Sequence, residues 1–418
     1  MQLACLGACN EVGKSSFWLK ANQVRILLDA GMKIHDHNEI PQFNKHQCDA
    51  LVITHAHLDH SGGAPAVYRN ANPLTFCTYP TEPLVNLLLD DSEKVALDRK
   101  KALPFSRDNR RRMDKKTSCL GYGQDYEFHD GTRLRFLDAG HIPGSAMALV
   151  ETRDKSLLYT GDFNLSETRM HHAARAPKDE VDYLIIESTY GMREHPPRRD
   201  LERDFLADVR KAIEDGRTAL VPAFAVGRTQ ELLQVLHSSE FNHRLYVNGM
   251  GKQVNQIVSD YPSYVRDFDA LNDAINAAEE IRSNRQGEKL MGKPCAIVST
   301  AGMLDGGPML SYIREATKKG NAAIFLTGYQ VEGTNGRHLV EEGKIKAEGG
   351  RFQKIDLPVK QYDFSAHAGK HDLHAFVKKV NPQKVFCVHG DECGEFAASL
   401  RNEGFDAVAP KIGDAFKL

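Results

Sequence analysis

Long hydrophobic runs are missing from this chain of 418 residues. Its densest apolar stretches, Leu184-Ile185-Ile186 and Ala322 to Leu326, fall far short of the roughly 20 residues a membrane helix needs. Met1 to Gly7 lacks the basic start and long apolar core of a signal peptide, so a cytoplasmic protein without a membrane segment is expected. A dominant charge is missing too. Lys and Arg total 54 against 56 Asp and Glu, a formal net charge of −2, which argues against nonspecific coating of nucleic acid. Any polyanion must be met by a local basic lining. There is no Cys-x-x-Cys pair, and the eight cysteines at 5, 9, 48, 77, 119, 295, 387 and 393 form no dense framework. Cys5 and Cys9 have no second pair to complete the four ligands of a zinc knuckle. Repeats of roughly 20 to 50 residues and low-complexity tracts are absent, which removes solenoids and tails.

What remains is a chain with 41% hydrophobic and 26% charged residues, the balance of a soluble globular protein, and long enough for two or three domains. Short Val-, Ile- and Leu-rich runs keep stopping at an ionisable residue. Val24 to Leu28 stops at Asp29, Ala50 to Ile53 at Thr54-His55, and Ser156 to Tyr159 leads to Asp162. Arg133 to Leu137 leads to His141, Val181 to Ile186 stops at Glu187, and Lys384 to Val388 stops at His389. Each reads as a strand with a reactive group just past its end, where loops at one sheet edge can assemble a polar site from distant sequence.

From about residue 190 to 352 the pattern changes. Strand-like runs at Ala219 to Val221, Leu245 to Val247, Cys295 to Val298 and Ala323 to Leu326 alternate with helical stretches such as Arg228 to Leu236 and Met309 to Glu315. Alternation of this kind implies a parallel-sheet α/β unit. Because the strand near residue 385 follows it, the unit reads as an insert: 1–189 and 353–418 form one domain around 190–352. The stretch from Tyr190-Gly191 to Pro196-Pro197 has a linker's composition.

The densest chemical signal is Thr54-His55-Ala56-His57-Leu58-Asp59-His60-Ser61-Gly62-Gly63. Four potential ligands in so short a loop are costly to satisfy without metal. His55 and His57 would face one ion, Asp59 and His60 another. The strand ends supply the remainder through His141, Asp162 and His389. Imidazole and carboxylate without thiolate fit catalytic Zn²⁺, with Mn²⁺ less favoured by the histidine count.

With these residues in place, the sequence resembles the metallo-β-lactamase superfamily along its whole length, Asp29 matching the first motif, His55 to His60 the second, His141 the third and Asp162 the fourth. The resemblance implies an αββα sandwich in which His55, His57 and His141 hold one zinc, Asp59, His60 and His389 the other, and Asp162 bridges them. Asp29 would hold a ligand histidine in place, or simply cap a turn. Glu187 to Gly191 looks like motif A of the β-CASP nucleases, Phe364 to Gly369 like motif B, and Val388 to Asp391 like motif C. Pro222 to Leu233, Ser299 to Pro308 and Leu326 to Arg337 resemble the branch of the cleavage and polyadenylation endonuclease. The resemblance implies the short archaeal and bacterial form, for which an N-terminal region of RNA-binding KH domains is not expected.

The function implied is zinc-dependent hydrolysis of RNA phosphodiester bonds, endonucleolytic or 5′-to-3′ exonucleolytic, in RNA processing or decay. As the resemblance implies, His367 gives a proton to the leaving ribose oxygen and Glu187 stabilises its imidazolium, beside the metal-site carboxylates Asp59 and Asp162. The bland alternative is an ordinary Glu187–His367 structural pair. Arg228, Ser365 and Arg337 are the candidate phosphate contacts, each equally readable as a turn residue or cap. Arg107 to Lys116, with six basic and two acidic residues, is either a solvated helix face or the RNA-facing lining. Single-stranded RNA is the expected partner, with a homodimer and an RNA-processing complex both compatible. Rival readings are a small-ester or thioester hydrolase on the same site, or a non-catalytic subunit of a processing complex. His35, His37, His171, His172, His371 and His374 read as surface or packing residues.

Overall fold

The computed structural model describes residues 1–33, 38–43, 46–238, 241–346 and 350–418. Two compact units result, one of Met1–Glu167, His172–Glu194 and Ala366–Leu418, the other of Thr168–His171 and His195–Ser365.

The first unit is built on two mixed sheets. One runs in the order Ala415–Lys417, Gln2–Cys5, Phe17–Ala21, Val24–Leu28, Ala50–Val52, Leu74–Cys77, Thr117–Cys119. The other runs Ala407–Val408, Lys384–Val388, Tyr183–Glu187, Ser156–Tyr159, Ala146–Glu151, Arg133–Asp138, Asp125–Glu127. Their facing sides share a core in which Phe17, Leu19, Ile26, Leu28 and Phe76 meet Phe136, Val150, Tyr159, Ile185 and Phe386. The opposite face of the second sheet, with Leu149, Leu158, Leu184 and Val385, is covered by Leu373, Phe376 and Val377 of helix Lys370–Val380 and Phe396 and Leu400 of helix Cys393–Asn402. Burial on both faces is why Tyr183–Glu187 and Lys384–Val388 read as continuous apolar runs rather than alternating ones. Helices Thr81–Asp98 and Arg107–Asp114 lie on the outer side of the first sheet, where Val85 and Met113 close a narrow cavity against Ile53 and Cys77. The arrangement is the expected αββα sandwich.

The second unit carries an all-parallel sheet in the order Glu279–Glu280, Leu245–Asn248, Cys295–Ser299, Thr218–Pro222, Ala322–Leu326, Val359–Gln361. The two-residue period of the strands sorts its core. Ala219, Val221, Val298 and Phe325 join Phe205, Val209 and Leu232 on one face, while Leu220, Ile297, Ile324 and Leu326 join Met309, Tyr312 and Ile313 on the other. The second unit runs on to Ser365, past the expected end at 352, because Val359–Gln361 adds the edge strand beside Ala322–Leu326. Among the described residues, no helix is long and apolar enough to cross a membrane.

Candidate metal centre

Strand ends of the first unit create the site. Val24–Leu28 and Ala50–Val52 are parallel neighbours, so Asp29 and Thr54 emerge side by side. Asp29 turns the chain in the left-handed region at φ 57°, a conformation non-glycine residues adopt only when their surroundings hold them. The surroundings here are four hydrogen bonds to one buried carboxylate. Thr54 donates its N–H to Oδ1 and its hydroxyl to Oδ2, each at 2.8 Å; Tyr159 donates its hydroxyl to Oδ2 at 2.8 Å; and Nδ1 of His60 lies 2.7 Å from Oδ2. The loop beyond Thr54 is pressed so tightly against its neighbour that a Cβ on Gly31 would lie 1.7 Å from the Asp59 carbonyl. Gly161, at φ 52°, also lies close to Thr54, its added Cβ falling 2.8 Å from the threonine hydroxyl.

These turns bring the donors together in two sets. His55, His57, His141 and Asp162 offer ligand atoms within 4.8 Å of one another, and so do Asp59, His60, Asp162 and His389. Asp162 belongs to both: Oδ2 lies 3.5 Å from Nε2 of His55 and 3.8 Å from Nε2 of His141, while Oδ1 lies 3.1 Å from Nε2 of His60 and 2.9 Å from Nδ1 of His389. Nε2 of His389 stands 3.4 Å from Oδ2 of Asp59, and Nε2 of His141 stands 3.2 Å from Nδ1 of His57. The outward nitrogens are tied down, Nδ1 of His60 by Asp29 and Nδ1 of His141 by the Ala366 carbonyl at 2.8 Å. Ligand orientation by such outer partners is typical of metal sites. Inside, His55 Nε2, His389 Nε2 and Asp162 Oδ1 are buried without a hydrogen bond of proper geometry. Orphaned buried donors and acceptors are expensive. Converging on common points, they fit divalent cations.

The electrostatics divide the two sets. Burial pushes the imidazoles of His55, His57 and His141 below the ordinary histidine value, so they stand neutral, the form that ligates. Burial acts the same way on His60, but the carboxylates of Asp162 and Asp29 outweigh it and hold this imidazole up at about 10. Burial is also overcome at Asp162, whose carboxyl is kept ionised by His389 and His60.

Beside these sets, Nδ1 of His367 lies 2.9 and 3.0 Å from the two oxygens of Glu187. Glu187 is itself fixed, accepting from the Phe163 N–H at 2.9 Å and from the Thr189 hydroxyl at 2.5 Å. Burial opposes protonation of His367, and the Glu187 and Asp162 charges together raise it above the usual histidine value. The ring packs 4.6 Å from that of His141. Asp162, Glu187 and His367 also bring ligand atoms within 4.8 Å of each other.

The expected phosphate contacts lie in the second unit. Arg228 opens helix Arg228–Leu236, but its guanidinium engages Glu231, which also binds Arg198, and sits over the Phe364 ring at 5.9 Å. Ser365 accepts from Arg198 through its carbonyl at 3.2 Å. Arg337 pairs with Glu341 at 2.5 Å on helix Asn335–Glu342. In the basic run, Arg110 binds Asp90 at 2.6 Å and Glu93 at 3.2 Å, and Arg112 donates to the carbonyls of Tyr68 and Ala71 at 2.6 and 3.0 Å. Two of its arginines thus fasten their helix down, while Arg107, Arg111, Lys115 and Lys116 are exposed. His374 packs on Phe396 and His171 is buried, whereas His172 and His371 pair with Glu167 and Glu194 at the surface. His35 and His37 lie outside the described residues. Thr54, Tyr159 and Thr189, whose hydroxyls secure Asp29 and Glu187, carry no signal in the sequence beyond standing beside His55, Asp162 and Glu187.

Comparison with known proteins places this geometry. Residues 10–222 match the model of the metallo-beta-lactamase superfamily, residues 229–339 that of the Beta-Casp domain, and residues 354–410 that of the Zn-dependent metallo-hydrolase RNA specificity domain. The chain is 36% identical over 432 residues to "Probable RNase MJ4" of Methanocaldococcus jannaschii, with 100% of both covered. It is 32% identical over 427 residues to "RNase aCSPSF2" of Saccharolobus solfataricus, covering 100% of this chain and 85% of that protein. "Transcription termination factor FttA" of Methanocaldococcus jannaschii is 31% identical over 439 residues, covering 96% and 69%. A crystal structure of a protein of unknown function from Enterococcus faecalis V583 shares the fold, with a TM-score of 0.64 at 13% identity over 100% of this chain and 99% of that one. The chain belongs to the metallo-β-lactamase superfamily, and within it to the proteins that carry a β-CASP domain.

Proposed function

We propose that the protein is a ribonuclease that hydrolyses phosphodiester bonds of single-stranded RNA with two zinc ions. The observation that carries this reading is the pair of ligand sets sharing Asp162, with a carboxylate-held histidine beside them. Relatives named as RNases align along the full chain, and an RNA specificity domain matches near its C-terminal end. His55, His57 and His141 would hold one ion, Asp59, His60 and His389 the other, with Asp162 common to both. When bound, two such cations supply Lewis acidity to a phosphodiester and ionise water near neutral pH. Asp29 keeps the His60 ring turned toward the site, and the Ala366 carbonyl does the same for His141. Glu187 accepts from Nδ1 of His367, so Nε2 is the atom that delivers a proton to the departing ribose oxygen. The setting is cytoplasmic RNA processing or decay, as a homodimer or within a processing complex.

Purified His367→Ala protein tests the reading. It should retain both metals and lose most cleavage of a single-stranded RNA. Parent protein that cleaves a chromogenic ester but no RNA would contradict the substrate assignment.

A further inference from the structure

Few large apolar side chains of the described residues face solvent, and two of them occur together in the inserted sheet unit. Phe224, 38% exposed, and Tyr329, 44% exposed, sit on the loops that follow the neighbouring strands Thr218–Pro222 and Ala322–Leu326. Both loops leave the carboxyl edge of an all-parallel sheet. Helix Arg228–Leu236, after the first of these strands, packs on one face, and helix Asn335–Glu342, after the second, packs on the other through Leu339. Those two strands are paired neighbours, so the chain diverges between them. In open α/β sheets, ligands bind in the crevice made by such a divergence.

Two glycines flank the Phe224 ring. A Cβ on Gly302 would come within 3.1 Å of the Phe224 nitrogen and 3.3 Å of its ring, and one on Gly328 would reach the ring at 4.0 Å. Helix dipoles contribute positive potential at this edge. Helices beginning at Arg228, Gly251, Gly307 and Asn335 all start from loops on the carboxyl side of the sheet, turning their N-terminal dipole ends toward it. An apolar peptide would use the rings but not the field, and free phosphate the field but not the rings. Single-stranded nucleic acid uses both, since every base has a π-face and every linkage an anion, whereas a duplex hides its bases.

We infer that Phe224 and Tyr329 form a stacking platform for the bases of single-stranded RNA. The inference rests on the ribonuclease reading above and extends it to a contact on the inserted unit. Stacking tolerates any base, so the platform would hold the strand without selecting sequence.

The test is binding of a short oligouridylate, and of an abasic oligomer of equal length, to the metal-loaded full chain carrying His367→Ala, which leaves RNA uncut and serves as the parent here. Phe224→Ala and Tyr329→Ala should each weaken oligouridylate binding roughly five- to a hundredfold, the range for loss of one stacked base, and leave abasic binding unchanged. Phe224→Tyr and Tyr329→Phe, which keep a ring, should restore it. An RNA carrying 2-aminopurine should be quenched on binding parent protein and not on binding the alanine variants. Parent and alanine variants that bind oligouridylate equally tightly would overturn the platform alone. Parent protein that binds neither oligomer would overturn the ribonuclease reading and the platform with it.

Discussion

Glu187 grips His367 with both carboxylate oxygens, 2.9 and 3.0 Å from Nδ1, while its own oxygens are held by the Phe163 amide and the Thr189 hydroxyl. In the proposed reading, a histidine oriented this firmly next to Asp162 moves a proton at Nε2.

Replacing His367 by Ala should lower single-turnover RNA cleavage about 10²- to 10⁴-fold, the usual contribution of a positioned general acid, with metal content unchanged. Glu187→Gln should produce a smaller loss, since the hydrogen bond survives and only the charge goes. Elemental analysis beside the kinetics separates this outcome from loss of metal. Variants that cleave as fast as the parent would return the pair to a structural role.

The Tyr159–Asp29–His60 chain of hydrogen bonds makes a separate prediction. Asp29→Ala should weaken metal binding roughly 10- to 100-fold, as loss of an outer partner does. The loss should fall on the ion held by Asp59, His60 and His389. Tyr159→Phe, lacking only the hydroxyl, should shift it in the same direction by less. Competition with a chelator reads both, and two equally weakened ions would show that Asp29 serves the fold of the loop rather than one ligand.

The basic run should divide in two. Arg112→Gln removes donors from two backbone carbonyls and should destabilise the first unit by about 1–3 kcal/mol, the cost of leaving such acceptors unpaired, seen as a lowered Tm. Arg111→Gln, at an exposed position, should leave Tm unchanged and alter the salt slope of RNA binding by no more than about one unit. The reverse pattern would make Arg112 the RNA contact.

Glu231 is buried in the second unit, and although burial works to raise its carboxyl, Arg198 and Arg228 outweigh it and lower it below its ordinary value of 4.5. A depressed carboxyl adds stability that is complete above the unfolded value and fades as pH falls through the folded one. Acid unfolding of the parent between about pH 5 and the low folded value should therefore steepen relative to Glu231→Gln. Parallel pH profiles would show that the ion pair contributes nothing.

Much of the site was legible because an apolar strand that halts at His, Asp or Glu is a sharp contrast, and Asp29, His55, His141, Asp162, Glu187 and His389 all follow such halts. The supporting shell was not. Thr54, Tyr159 and Thr189 are hydroxyl residues that read equally well as turn or core, and their value depends on partners up to 130 residues away, as in the Tyr159–Asp29 bond. The insert's end escaped for a related reason. Val359–Gln361 is a polar edge strand, lacking the apolar run that marked its neighbours. Arg228 reads either as a phosphate contact or as a helix-start residue because it follows Gly227; its engagement with Glu231, three residues on, is ordinary helix geometry that sequence could have suggested.

The central claim, that two divalent cations share Asp162, is tested most directly by metal analysis of active, extensively dialysed enzyme beside its Asp162→Ala variant. The account predicts close to two equivalents of zinc per chain in the parent, and loss of metal and cleavage together in the variant. Full RNA cleavage by protein without bound transition metal, or by the variant, would contradict it.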